Sequence, residues 1–109
     1  MNYIPTTYGE VRHLIAGRGE VKIANNTTAC LYGETVEIYL HGHNIIALHR
    51  DGTVSLRHMH YVTKTTFDRM QQFCPPNWVV TRSEGRPRAV HFPEVTEVPI
   101  EALTFARIG

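Results

Sequence analysis

Cysteine is scarce: Cys30 and Cys74 stand far apart and outside any C-x-x-C spacing. That excludes the disulfide framework of a small secreted domain, which needs several paired cysteines. No apolar run approaches the ~18 residues that cross a bilayer, so no membrane partner is expected. The opening stretch "MNYIPTTYGEVRHLIAGRG" lacks both the charged start and the apolar centre of a secretory signal, and a soluble, cytoplasmic protein is expected. Charge of one sign is lacking too. The formal net charge of +1 makes neither a general nucleic-acid binder nor an acidic mimic of nucleic acid the default.

Catalytic signatures are also absent. There is no G-x-S-x-G turn, phosphate-binding Gly-rich loop, dinucleotide fingerprint or paired-carboxylate pattern. Cys30 lies in an apolar strand and Cys74 at a helix end before two prolines, so both read as core thiols and not as nucleophiles. No catalytic residue is assigned, and a non-enzymatic protein is expected.

What is present suits a single globular domain. A chain of 109 residues builds one core, and 42% apolar with 19% charged residues rules out general disorder. The expected layout of residues 1–109 is an N-terminal helix in 1–18, a sheet with one helix in 19–92, and a docked tail in 93–109. "TTYGEVRHLIAG" has capping-box spacing at Thr7 and Glu10, an apolar face of Val11, Leu14 and Ile15, and Gly17 as its stop. "EVKIA" and "TTACLY" read as strands joined at Asn25-Asn26.

The next strands fix one another's register. In "TVEIYL", Val36, Ile38 and Leu40 alternate with Glu37 and Tyr39. A three-residue loop Arg50-Asp51-Gly52 sets Leu48 against Val54 and Ile46 against Leu56. A two-residue turn would set them against Ser55 and Arg57 and break the apolar face. The same reasoning expects a three-residue "HGH" loop, with Ile38 opposite Ile46. The second face then carries Glu37, Tyr39, Ile45, Ala47, His49, Thr53, Ser55 and Arg57, a mixed surface open to solvent or to binding.

"TKTTFDRMQQFCPP" predicts a second helix capped by Thr65 or Thr66, with Asp68 in its first turn and Phe67, Met70, Phe73 and Cys74 as its stripe. "NWVVT" and "RAVHF" predict a hairpin around an exposed "RSEGRP" loop. The tail predicts a short strand, then a helix from near Pro99 that buries Ile100, Leu103 and Ile108. The fold class is α+β: an antiparallel β-meander sheet with short helices packed on one face.

A meander brings "HGH" and "HMH" to one end of the sheet, within roughly 10 Å for strands ~4.8 Å apart. His41, His43, His58 and His60 therefore form the candidate set for zinc or another divalent metal. The competing reading is a group of partly exposed histidines with no cofactor. His49 is expected to pair across the strands with Thr53, and His13 and His91 to lie at the surface or boundary. The candidate binding residues are Tyr39, His49, Arg57, Lys64, Arg69, Arg82, Arg86 and Arg88. The arginines of "RSEGRPR" are suited to phosphates or to an acidic protein surface. Tyr61 and Trp78 could stack on bases, although a Trp beside two valines suits a core.

The ordered motifs "IANNT", "LHGHNIIALHRDGTVSL" and "YVTKTTFDRMQQF", the last followed by two prolines and Trp78, together resemble a widespread group of small tailed-bacteriophage proteins. That group's pattern runs A-N-N-T, L-H-x-T-[DN]-[IV]-[IV], P-D-G-[ST]-V-T-L, then G-G-W-x-T-x-T-T-K-x-R-[IM]-N. The likeness spans Ile23 to Val80. It rests on Asn25, Asn26, Thr27, Leu40, His41, Asn44, Asp51, Gly52, Thr53, Val54, Leu56, Thr65, Thr66, Arg69 and Met70. The usual Gly-Gly-Trp segment is replaced by "HMHY", and His43 stands where the group has Thr. Three of the four clustered histidines are thus outside the shared pattern, which argues against metal binding as a shared role. The resemblance implies a phage accessory protein in the host cytoplasm that binds a host protein or complex, for takeover or counter-defence. The alternatives are nucleic-acid or nucleotide binding through the basic helix and loop, and a small His-ligated metal protein.

Overall fold

The computed structural model describes residues 4–59 and 62–109. Its elements in chain order are α1 (Tyr8–Ile15), β1 (Glu20–Ala24), β2 (Thr27–Tyr32), β3 (Thr35–Leu40), β4 (His43–Leu48) and β5 (Val54–Leu56). There follow α2 (Lys64–Phe73), β6 (Trp78–Ser83), β7 (Arg86–His91), β8 (Thr96–Pro99) and β9 (Ala106–Ile108). The strands form a six-stranded antiparallel sheet, β1-β2-β3-β4-β5-β9, and a three-stranded one, β6-β7-β8. The fold is α+β with an antiparallel meander, as the alternation of β3 to β5 predicts.

The meander's apolar face is continuous. Val36 faces Leu48, Ile38 faces Ile46, Ile46 faces Leu56 and Leu48 faces Val54. Arg50, Asp51 and Gly52 form the three-residue loop expected of them: Gly52 takes φ +92° and His49 N–H donates to the Thr53 carbonyl at 3.0 Å. The "HGH" turn differs from expectation. Leu40 pairs with His43, so the loop is only His41-Gly42, both at positive φ as a tight right-twisted hairpin favours. The extra residue becomes a bulge at Ile45. That bulge turns Ile45 off the mixed face and into the core, where it is 3% exposed.

The helices cover this face: α1 packs against β1, β2 and β3, and α2 against β4 and β6. Thr7 caps α1 by accepting from Glu10 N–H, and Val11 and Ile15 are buried, while Leu14 turns outward. The cap of α2 is Thr63, not Thr65 or Thr66. Its hydroxyl accepts from Thr66 N–H, and the buried Thr66 completes the reciprocal box. Thr66, Met70 and Phe73 are the buried stripe, with Phe67 and Cys74 half-buried beside it. Asp68 lies one turn into α2 and pairs with Lys64 at 3.0 Å.

The tail holds no helix. β8 joins the small sheet, and β9 returns to pair with β5 in the large one. Ile100 and Ile108 are buried, but Leu103 is 52% exposed. Pro99 is the last residue of β8, so its ring ends an edge strand instead of opening a helix. The "RSEGRP" segment is likewise not a loop: Ser83 pairs with Arg86, leaving Glu84-Gly85 as a two-residue turn.

Ile46 is fully buried, whereas Leu31 is 39% exposed at a sheet margin. Ile46→Ala is expected to cost about 3 kcal/mol through lost burial and a residual cavity. Leu31→Ala should stay within about 0.5 kcal/mol. Urea unfolding of the two variants measures both values.

Candidate functional site

The outer face of the large sheet carries Tyr39, His49 and Arg57, and each is already engaged. Tyr39 Oη donates to Glu37 Oε1 at 3.1 Å, while Asn44 Nδ2 donates to Glu37 Oε2 at 2.9 Å. Burial, then the Glu37 hydrogen bond and charge, push the Tyr39 phenol up to about 12. His49 Nε2 lies 2.6 Å from Ser55 Oγ, and burial followed by Arg107 lowers its pKa. This spacing is that of a base and a hydroxyl nucleophile, but Ser55 is 5% exposed, so the pair bridges two strands. The backbone of His49 pairs with Thr53, as expected, and its ring reaches two residues further. Arg57 donates through Nε to the Asn44 carbonyl at 2.8 Å and stacks over Phe105 at 4.3 Å. Asn44, Ala47 and Ser55 are buried, so the mixed face is closed by its own contacts.

Arg69 joins two distant sequence motifs. Its Nε donates to Thr27 Oγ1 at 2.8 Å and its Nη2 to the Asn25 carbonyl at 3.3 Å, tying α2 to the β1–β2 turn. Thr27 is fully buried and donates in turn to the Asn25 carbonyl at 2.8 Å. Lys64 stands exposed with Asp68. Arg82 lies over the Phe67 ring at 5.3 Å and donates to the Val62 carbonyl at 3.4 Å. Five of the eight candidate residues thus hold the fold together: Tyr39, His49, Arg57, Arg69 and Arg82.

The histidines divide. His41 and His43 border a hollow of about 170 Å3 with Met59, Thr63 and Thr66. His58 borders a different hollow; its N–H donates to the Glu101 carbonyl at 3.0 Å, and its Nδ1 lies 3.0 Å from the Met59 carbonyl. Among the described residues no group of three or more His, Cys, Asp or Glu side chains is placed to hold a metal ion. His60 and Tyr61 lie outside the described residues. His13 is exposed; His91, half-buried, stacks at 4.8 Å on buried Trp78 and pairs with Glu94 at 2.6 Å. Burial pushes the Cys74 thiol up to about 12, as suits a core thiol.

The small sheet sorts its residues differently. Directly opposed residues share a face, so Trp78, Val80, Arg82, Ala89 and Val98 turn to the core side. Arg86 and Arg88 lie on the opposite, outer face with Val79, Val90 and Glu97. The three arginines of "RSEGRPR" are therefore not one patch. At the end of this face away from Arg86 sit Val79, Phe92 and Val95, which are 42%, 44% and 59% exposed. Val95 takes φ +58°, in the left-handed region. No helical or alternating pattern marks "FPEV" as a surface of interest, so these residues escape a sequence reading; only exposure and backbone geometry reveal them.

No protein-family model, curated protein or solved structure matches this chain.

Arg69→Ala is expected to cost about 2 kcal/mol in chemical unfolding, because it strips a charged donor from buried Thr27. Arg69→Lys should recover less than half, since a single ammonium cannot reproduce the guanidinium fork. Tyr39 offers a pH test. Its folded value near 12, against an ordinary 10.0, means the folded state keeps the proton longer. Its contribution is present below about pH 10 and is lost as pH rises through the folded value. Tyr39→Phe should remove the latest step of the ultraviolet tyrosinate titration and flatten the fall in stability over that window.

Proposed function

We propose that this protein is a small bacteriophage accessory protein that binds a host protein complex in the host cytoplasm without catalysis, as an inhibitor. It docks through the apolar end of the small sheet's outer face. The observation that carries this reading is Val95, a β-branched residue at φ +58° that is 59% exposed. Left-handed backbone costs a non-glycine residue on the order of 1–3 kcal/mol, and more for branched side chains than for Asn or Asp. Exposure returns no burial energy for that cost. Gly or Asn would serve the turn better, so the isopropyl group has a use outside the fold. Phe92 and Val79 extend the same exposed apolar surface, and such patches mark protein interfaces. The His91–Glu94 pair at 2.6 Å braces the turn that presents them. Leu103 repeats the combination at φ +65° and 52% exposure. The ordered phage-type motifs from Ile23 to Val80 support the viral origin.

Val95→Gly is expected to raise stability by about 1 kcal/mol by relieving the left-handed strain. The same substitution, and separately Phe92→Ser, should abolish stoichiometric capture of a partner from nuclease-treated bacterial host lysate at moderate salt. Capture that persists in both variants, or none by the wild type, overturns the reading.

A further inference from the structure

At the other end of the small sheet, alternation along β7 sets Arg86 and Arg88 on one face, roughly 6.6 Å apart at two strand residues. Both border a hollow of about 180 Å3 with His58, Pro99, Ile100 and Glu101. Backbone hydrogen bonds set its walls: Ile100 N–H to the Pro87 carbonyl at 3.1 Å, and His58 N–H to the Glu101 carbonyl at 3.0 Å. Leu103 N–H also donates to the His58 carbonyl at 3.0 Å, which ties the tail to this segment. Main-chain bonds thus hold the segments around the hollow together.

Arg57, Arg69 and Arg82 are all consumed by internal contacts. The guanidinium groups of Arg86 and Arg88 have no hydrogen-bond or ion-pair partner among the described residues. Arg88 is also half-buried, and a partly desolvated guanidinium without a counter-ion is costly until an anion completes it. His58 Nδ1–H donates to the Met59 carbonyl, which leaves Nε2 of the neutral ring as an acceptor for a ligand hydroxyl. Glu101 on the rim adds a single carboxylate, an acceptor that a bare anion would avoid and a sugar hydroxyl would use.

We infer that this hollow binds the phosphate group of a ribonucleotide unit. Arg86 and Arg88 clasp the phosphate oxygens through their planar guanidinium forks, each of which can bond two oxygens at once, and Glu101 accepts from a ribose hydroxyl. The inference is independent of the apolar end of the face. The same chemistry is offered by a free nucleotide and by an RNA strand.

Calorimetric titration of the whole protein with AMP, inorganic phosphate and a single-stranded RNA oligomer tests the site. AMP should bind saturably and more tightly than inorganic phosphate, and Glu101→Gln should narrow that difference. The double variant Arg86→Ala/Arg88→Ala should weaken AMP by at least about tenfold, the equivalent of one lost charged hydrogen bond. It should keep its fold by circular dichroism, since neither side chain holds the structure. Arg18→Ala/Lys22→Ala removes the same two charges elsewhere, at exposed positions, and should change affinity by less than about twofold, because distant exposed charges are screened. An oligomer that binds more tightly than AMP, with affinity falling steeply between about 50 and 200 mM salt, identifies a strand as the source. Equal affinities identify the free nucleotide. No saturable binding of any of the three, or an arginine double variant that binds like the wild type, overturns the inference.

Discussion

Everything in this molecule hangs on the apolar face shared by β3, β4 and β5. A strand turned over by one residue would present Glu37, Tyr39 and His49 to the helices and lose the core, so the register is not negotiable. Both turns serve it. The Arg50–Gly52 loop has the odd length that keeps Leu48 on Val54. The His41-Gly42 turn has the even length that would break the face, and the bulge at Ile45 restores the pairing of Ile38 with Ile46. Bulge and tight turn are thus one solution, and Ile45 enters the core as its by-product.

Side chains finish what the backbone leaves open. Arg69 reaches from α2 to Thr27 and Asn25, and so joins parts of the chain that are 42 and 44 residues apart. Gln71 does the same for an edge strand: its Oε1 accepts from Val80 N–H at 2.8 Å and its Nε2 donates to the Trp78 carbonyl at 3.0 Å. The exposed edge of β6 is thereby covered by a helix, one of the standard protections against edge-to-edge pairing. Several residues of the ordered motifs between Ile23 and Val80 occupy such positions. Asn26 supplies a turn at φ +53°, Asp51 accepts from Thr53 N–H at 2.9 Å, and Thr27 and Arg69 meet in the clamp. The motif describes how the chain folds more than what it touches.

The two outer faces divide the remaining polar and aromatic residues between structure and exposure. On the large sheet, Tyr39 and Asn44 Nδ2 share the Glu37 carboxylate, His49 meets Ser55, and Arg57 donates to the Asn44 carbonyl, with only Asn44 Oδ1 buried and unpaired among these described groups. On the small sheet, the outer face keeps an apolar end at Val79, Phe92 and Val95 and a basic end at Arg86 and Arg88. The contrast has a simple cause. Cross-strand pairs on the large sheet match donors with acceptors, whereas Arg86 faces Ser83 and Arg88 faces Thr81 and Pro99, none of which can neutralise a guanidinium.

The sequence by itself determined the local and alternating features: the first helix and its Thr7 cap, the strand set from Glu20 to Leu56, the Arg50–Gly52 loop and the register around Ile46. These follow from periodicity and turn chemistry, which act over a few residues. It misplaced features that depend on contacts between distant segments. The tail from Pro99 is helical by local preference, but β9 finds an unpaired edge on β5 and takes its hydrogen bonds there. Arg82 parts from Arg86 and Arg88 because the turn at Glu84-Gly85 is tight and strand alternation then assigns faces. Whether a given arginine binds the fold or faces outward was decided only by the tertiary structure, because a charged side chain's partner lies wherever the chain happens to return.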